Sequence, residues 1–85
     1  LTRAAAFDCI KRGVRVNAVG PAVIRTPLLE SSMDAKGIQG LSDLNPSQRL
    51  GTPREVANLV TWLCSDEASF VNGAFYSVDG AYTAG

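Results

Sequence analysis

Two stretches rich in β-branched and small apolar residues, 14–19 and 74–78, lie far apart in the chain, and each is reached from a helix-forming segment. Strands joined through a helix pair in parallel and cross over right-handedly. A helix that delivers directly into a strand is half of a βαβ unit, so the fold class is α/β. Two strands do not make a stable sheet by themselves. The free side of strand 14–19 is therefore expected to take another strand from residues this chain lacks. Length agrees: 85 residues form one small domain at most.

The local signals are specific. The first dozen residues are dense in alanine, and Leu1, Ala5 and Cys9 fall on one helical face. Lys11 and Arg12 complement the dipole at that helix's end, and Gly13 is a natural stop. No capping residue precedes the helix, and the chain opens without methionine, so the expectation is a piece of a longer protein. Thr52-Pro53-Arg54-Glu55 places an N-cap, a proline at N1 and a glutamate at N3, which is a capping box. Behind it Val56, Leu59, Val60, Leu63 and Cys64 recur at helical spacing, predicting an amphipathic helix that ends near Ser65. Residues 65–69 read as a helical turn capped by Asp66. Asn72-Gly73 is a tight turn, and Asp79-Gly80 closes the second strand.

Between strand and helix, residues 20–52 are punctuated by proline and glycine, which predicts a long loop with short helical pieces. Leu28, Leu29, Met33, Ile38, Leu41 and Leu44 are too many apolar side chains for a solvated linker. A long apolar loop of this kind is expected to serve as a lid. Asn17, polar within a strand, is expected to bond neighbouring backbone, and Arg49 to anchor the loop to backbone or a carboxylate.

Composition narrows the function. Eight basic and eight acidic residues cancel, leaving no electrostatic footprint for nucleic acid or an anionic membrane. There is no histidine, which removes His-based dyads and His-containing zinc sites, and no metal ligand set is expected. Cys9 and Cys64 form no CxxC pattern and read as core thiols of a reducing, cytoplasmic compartment. No apolar run approaches the ~18 residues that span a bilayer, and no signal peptide is visible.

Four blocks carry a resemblance. Residues 15–27, RVNAVGPAVIRTP, are similar to the RVNxxxPGxxxTP segment of short-chain dehydrogenases/reductases. Residues 46–57, PSQRLGTPREVA, resemble that family's PxxRxGxPxEVA; residues 63–73, LCSDEASFVNG, its LxSDxASxxxG; and Val78-Asp79-Gly80-Ala81 its terminal VDGG. The order is right and nearly the whole chain is covered. The resemblance implies the C-terminal part of a Rossmann-type doubly wound parallel sheet, with two strands, two main helices and a substrate lid loop. Residues 1–85 would be the C-terminal segment of a single NAD(P)-binding domain. The whole would interconvert a secondary alcohol and a ketone by hydride transfer with NAD or NADP. The substrate would be a small molecule, and the subunits would form a homo-oligomer, tetramer or dimer. The helix from Pro53 and the last strand would build that interface, with Trp62, Phe75, Tyr76 and Tyr82 at or near it. A simple core helix is the plainer reading of the same periodicity.

By the same resemblance, Pro21 and Ala22 pack near the nicotinamide ring. The main chain of Ile24 and the hydroxyl of Thr26 fix its carboxamide. Leu28, Leu29 and Met33 begin the lid that excludes water. The plainer readings are that Thr26 caps the next segment and that the lid residues are ordinary packing. Two positions depart from the pattern: Ala22 and Ala81 stand where the family has glycine. At Ala22 an added methyl would press on the backbone beside the ring if φ were positive. The family's Tyr-x-x-x-Lys pair would lie upstream of Leu1. Here Gly80 is the fourth residue after Tyr76, and none follows Tyr82 at that distance. The catalytic serine and a GxxxGxG or GxGxxG loop are also missing, so these residues contain no catalytic group. Within the family, the open substrate classes are acyl-carrier ketones, sugars or polyols, and cyclic diols. The rival reading is a catalytically inactive truncated copy that acts only through subunit association.

Overall fold

β1 (Ala18–Pro21) and β2 (Phe75–Val78) pair in parallel, with Ala18 opposite Phe75 and Pro21 opposite Val78. They are the two strands of a computed structural model that describes residues 1–84. Around them the order is α1 (Thr2–Cys9), a 3-10 turn (Ile10–Arg12), β1, α2 (Pro27–Ser32), α3 (Ala35–Leu44), α4 (Pro53–Leu63), a second 3-10 turn (Asp66–Ala68) and β2. The architecture is a partial Rossmann fold: a parallel sheet with flanking helices, as the strand–helix order requires.

The helix ends follow local chemistry. α1 lacks a side-chain cap at its start, and Gly13 ends the following turn in the left-handed region at φ 77°. At α4 the Thr52 hydroxyl accepts from the Glu55 N–H at 3.2 Å, and the Glu55 carboxylate accepts from the Thr52 N–H at 2.9 Å. Both halves of the capping box are thus made.

Three elements differ from the sequence pattern. The first strand begins at Ala18, not at residue 14, and runs through Pro21. A strand exists only where it has a ladder partner, and β2 offers one from Phe75 onward. Ahead of it Val16 bonds instead to the 72–73 turn, through the Asn72 side chain at 2.9 Å and the Gly73 N–H at 2.8 Å. Pro21 is tolerated because Ala18 and Ala22 direct their N–H groups to β2, so the donor that proline lacks would face the other edge. Second, the segment expected as a long loop with short helical pieces is largely helical. It contains the six-residue α2 and the ten-residue α3, so the described residues form two further helices beside α1 and α4. Two side-chain caps make these helices: Thr26 accepts from Leu29 N–H at 3.2 Å and Asp34 from Gly37 N–H at 2.8 Å. Third, Ser65 rather than Asp66 holds the cap position of the last turn.

Two asparagines join the halves of the chain. Asn17 donates to the Val71 carbonyl at 3.0 Å and accepts from the Ala74 N–H at 3.0 Å. Asn72 reaches Val16 and, at 3.4 Å, the Ala6 carbonyl of α1. These bonds hold the entries of both strands level. Beside them, Gly20 leaves the space into which the Phe75 ring folds from the neighbouring strand.

The buried apolar residues are few: Ala6, Leu50, Leu63 and Ala68. Of the predicted α4 face, Leu63 is buried, while Val60 and Cys64 are exposed. Cys64 is therefore not the core thiol its spacing suggests; Cys9 is half-buried, and both are free. The radius of gyration is 15.7 Å, against about 12 Å for a compact domain of this length.

Candidate cofactor-facing site

Beyond Pro21 the chain bends away from β2 after one last bond, Ala22 N–H to the Val78 carbonyl at 3.3 Å. It then meets the segment that leads into α4. Ile24 forms a parallel bridge with Gly51: the Gly51 N–H donates to the Val23 carbonyl at 3.2 Å, and the Arg25 N–H to the Gly51 carbonyl at 2.8 Å. In such a bridge the central residue's own N–H and C=O point to the opposite side. Among the described residues neither group of Ile24 has a partner. Main-chain donors and acceptors are normally paired, so this adjacent free pair suits a ligand that carries one of each. Gly51 permits the approach, since a Cβ there would lie 2.7 Å from Ile24 Cδ1.

Two residues on, the Thr26 oxygen accepts from Leu29 N–H as the cap of α2. The capping reading of Thr26 is therefore correct. It uses one lone pair and leaves the hydroxyl proton free to donate. Ala22 is not among the residues with positive φ, so the extra methyl strains no backbone there.

Arg49 and Glu55 close the segment around Gly51. The guanidinium grips both carboxylate oxygens, at 2.8 and 2.7 Å, and Nη1 also reaches the Leu50 carbonyl at 3.1 Å. The Glu55 carboxyl is held down at about 2, first by the Arg49 hydrogen bonds and then by the Thr52 N–H. The Arg49 guanidinium is raised in turn, chiefly by its bonds to Glu55. Arg49 thus anchors to both a backbone carbonyl and a carboxylate.

The other wall is the turn after β2. Asn45, buried at the end of α3, donates to the Asp79 carbonyl at 2.9 Å and accepts from Ser47 N–H and Oγ at 2.9 and 2.6 Å. The Asp79 carboxyl accepts from the Thr83 hydroxyl and from the N–H groups of Thr83 and Ala81. The Thr83 hydroxyl is the main reason its pKa is lowered. Ala81 adopts φ 73°, a left-handed conformation that costs a β-carbon about 1 kcal/mol. Ala81→Gly is expected to raise stability by up to about 1 kcal/mol, less the added freedom of the unfolded chain. Urea denaturation checks this, and a lowered midpoint would contradict it.

These residues do not form one pocket. Pro21 and Ala22 line an apolar cavity of about 400 Å³ with Leu41, Leu44, Phe75 and Tyr82. Ala22 and Ile24 line a second, of about 360 Å³, with Arg49, Gly51 and Glu55. Thr26 lines neither. Leu28 is exposed, and Met33 lines a third hollow with Arg25 and Ile38. Leu41 and Leu44 supply apolar wall to the first cavity. Both belong to the apolar residues that mark 20–52 as more than a solvated linker. No group of metal-ligating side chains occurs among the described residues, and no described helix is long and apolar enough to cross a membrane.

A two-stranded parallel sheet that ends in a turn and is flanked by helices is part of a Rossmann-type architecture. A family model described as enoyl-(acyl carrier protein) reductase matches residues 1–83. Cyclohexanol dehydrogenase of Acinetobacter sp. (strain SE19) is 48% identical over 83 residues, which are 98% of this chain and 32% of that protein. The 2,5-dichloro-2,5-cyclohexadiene-1,4-diol dehydrogenase of Sphingobium indicum is 45% identical over 86 residues, covering 99% and 34%. The solved structure of ElxO with NADP bound superimposes with a TM-score of 0.89 at 31% identity, over 99% of this chain and 35% of that one. The chain belongs to the short-chain dehydrogenase/reductase family, whose members are oxidoreductases. It spans about a third of the length of the relatives it matches.

Proposed function

We propose that residues 1–85 are the C-terminal segment of a single NAD(P)-binding domain in an oxidoreductase that interconverts a secondary alcohol and a ketone. The free main-chain N–H and C=O of Ile24 carry this reading. They match the acceptor and donor of a carboxamide, and the bridge to Gly51 fixes their direction. The nicotinamide ring, when bound, gives or takes the hydride. This chain's part is to hold one face of that ring toward the substrate. Ile24 grips the carboxamide, the Thr26 hydroxyl donates beside it, and Pro21 and Ala22 pack against the ring. Leu28, Leu29 and Met33 act as the lid, with α3 behind them. Acid–base groups come from elsewhere in the protein. A nicotinamide dinucleotide, NAD or NADP, is the cofactor.

The extended shape and the exposed Phe7, Phe70 and Phe75 support a segment that packs against further protein. α4 and β2 would meet a second subunit in a cytoplasmic homo-oligomer. The two relatives named above are dehydrogenases of cyclic alcohols by their names, and the apolar lining at Leu41, Leu44 and Phe75 favours a small cyclic secondary alcohol.

The test uses the polypeptide expressed from its own reading frame. Its intact mass should lie well above 9.0 kDa. Thr26→Ala should weaken binding of the nicotinamide dinucleotide about tenfold, read by fluorescence titration, while Thr26→Ser keeps it. Both variants should melt within a few degrees of wild type, since a lost cap costs about 1 kcal/mol. A mass of 9.0 kDa, or no binding by the wild type, would sink the proposal and favour the subunit-association reading.

A further inference from the structure

The Arg49–Glu55 pair is exposed on both sides, with 57% and 41% of each side chain accessible. Such pairs contribute little to global stability. Yet this one is built with care: a two-pronged guanidinium–carboxylate contact, with the same carboxylate also serving the capping box. The chain from Arg49 to Glu55 is thereby closed into a ring, and Gly51 sits inside it. Gly51 is the residue whose N–H and C=O hold Val23 and Arg25, and so aim the free N–H and C=O of Ile24. Arg49, Glu55, Gly51 and Ile24 also line one cavity.

We propose that Arg49 and Glu55 are positioning residues for the cofactor: their two-pronged bond fixes the Gly51 main chain, and through it the ligand-facing amide of Ile24. The proposal rests on the cofactor reading given above. Neither residue touches the reacting atoms. Their contact works because a planar fork fixes orientation as well as distance, which a lysine ammonium does not. Helix α4 supplies the rigid base, since Glu55 is anchored at its N3 position by the capping box.

Two measurements test it in the polypeptide expressed from its own reading frame. The first needs no cofactor: amide hydrogen exchange at Arg25 and Gly51, the two N–H groups of the bridge. Arg49→Ala should speed both about tenfold relative to wild type, with Arg49→Lys in between. The exchange of Ala74, in the distant strand junction, should stay unchanged. The second is the dissociation constant of NADH and NADPH by fluorescence titration. Arg49→Ala should raise it about fivefold. Glu55→Gln, which keeps an acceptor for the Thr52 N–H, should do the same. The double variant should be no worse than either single one, because both break one contact. Unchanged exchange at Arg25 and Gly51, or additive losses in the double variant, would overturn the proposal while leaving the cofactor reading standing. A wild-type protein that binds neither dinucleotide would overturn the cofactor reading and this inference with it.

Discussion

Replacing Gly80 with alanine is expected to cost the fold about 3 kcal/mol. Two causes add. Gly80 adopts φ 60°, where a β-carbon is strained in any surroundings. In addition, the added carbon would lie 2.5 Å from both Asn45 Oδ1 and Ser47 Oγ. Neither atom is free to retreat. Ser47 Oγ donates to Asn45 Oδ1 at 2.6 Å, and the Asn45 amide is committed to the Asp79 carbonyl. Relief would have to break the bonds of a side chain that is only 7% exposed. Gly40→Ala is the control, because nothing lies within 4 Å of its would-be β-carbon and the residue is helical. That change should be neutral or gain up to about 1 kcal/mol. Urea denaturation of both variants reads the difference. If Gly80→Ala unfolds within about 0.5 kcal/mol of wild type, the clamp between α3 and the final turn is not rigid.

That clamp shows why part of the structure was legible in the sequence and part was not. The α4 cap was readable because Thr52, Pro53 and Glu55 sit within four consecutive residues and their chemistry is local. Gly13 and Asn72-Gly73 were readable for the same reason. Asn17 stood out as a polar residue inside an apolar strand pattern, and its two backbone bonds follow. Parallel pairing followed from the helix between the strands. The strand's first residue did not, because it depends on where a partner 57 positions away begins. Short helical pieces were expected in 20–52, but the full length of α3 was obscured by glycines 37 and 40, which lower helix propensity without forbidding a helix that Asp34 caps. The role of Asn45 was invisible: nothing in its neighbourhood announces that its amide meets residue 79. The family blocks located the turn at 21–26, but its free main-chain pair depends on Gly51, far along the chain. Ala22 and Ala81 look like equal departures on paper. Only backbone geometry separates the unstrained one from the strained one.

Asn17→Leu is expected to cost about 2 kcal/mol, and its effect should reach the turn at 21–26. The substitution keeps the side chain's size but removes both bonds of the junction, leaving the Ala74 N–H unpaired and the Val71 carbonyl with only the Arg15 guanidinium at 3.3 Å. Those two bonds sit one residue before the ladder starts, where Ala18 meets Phe75. A side-chain period of two makes register costly to lose, because a slip of one residue sends every side chain to the opposite face. Here a slip would take Phe75 off Gly20 and bring Tyr76 over it, and would move Val78 away from the Ala22 N–H. The expected signature is therefore double: a lowered urea midpoint, and faster amide exchange at Ala22 as well as at Ala74. Asn17→Asp separates the two bonds, since the carboxylate still accepts from Ala74 but no longer donates to Val71. It should keep Ala74 protected while losing part of the stability. Faster exchange at Ala74 alone, with Ala22 unchanged in the leucine variant, would mean that the four paired residues of β1 and β2 hold their register without the asparagine. Asn17 would then be a local fastening of the strand entry, and the turn at 21–26 would owe its position to Gly51 and not to the sheet.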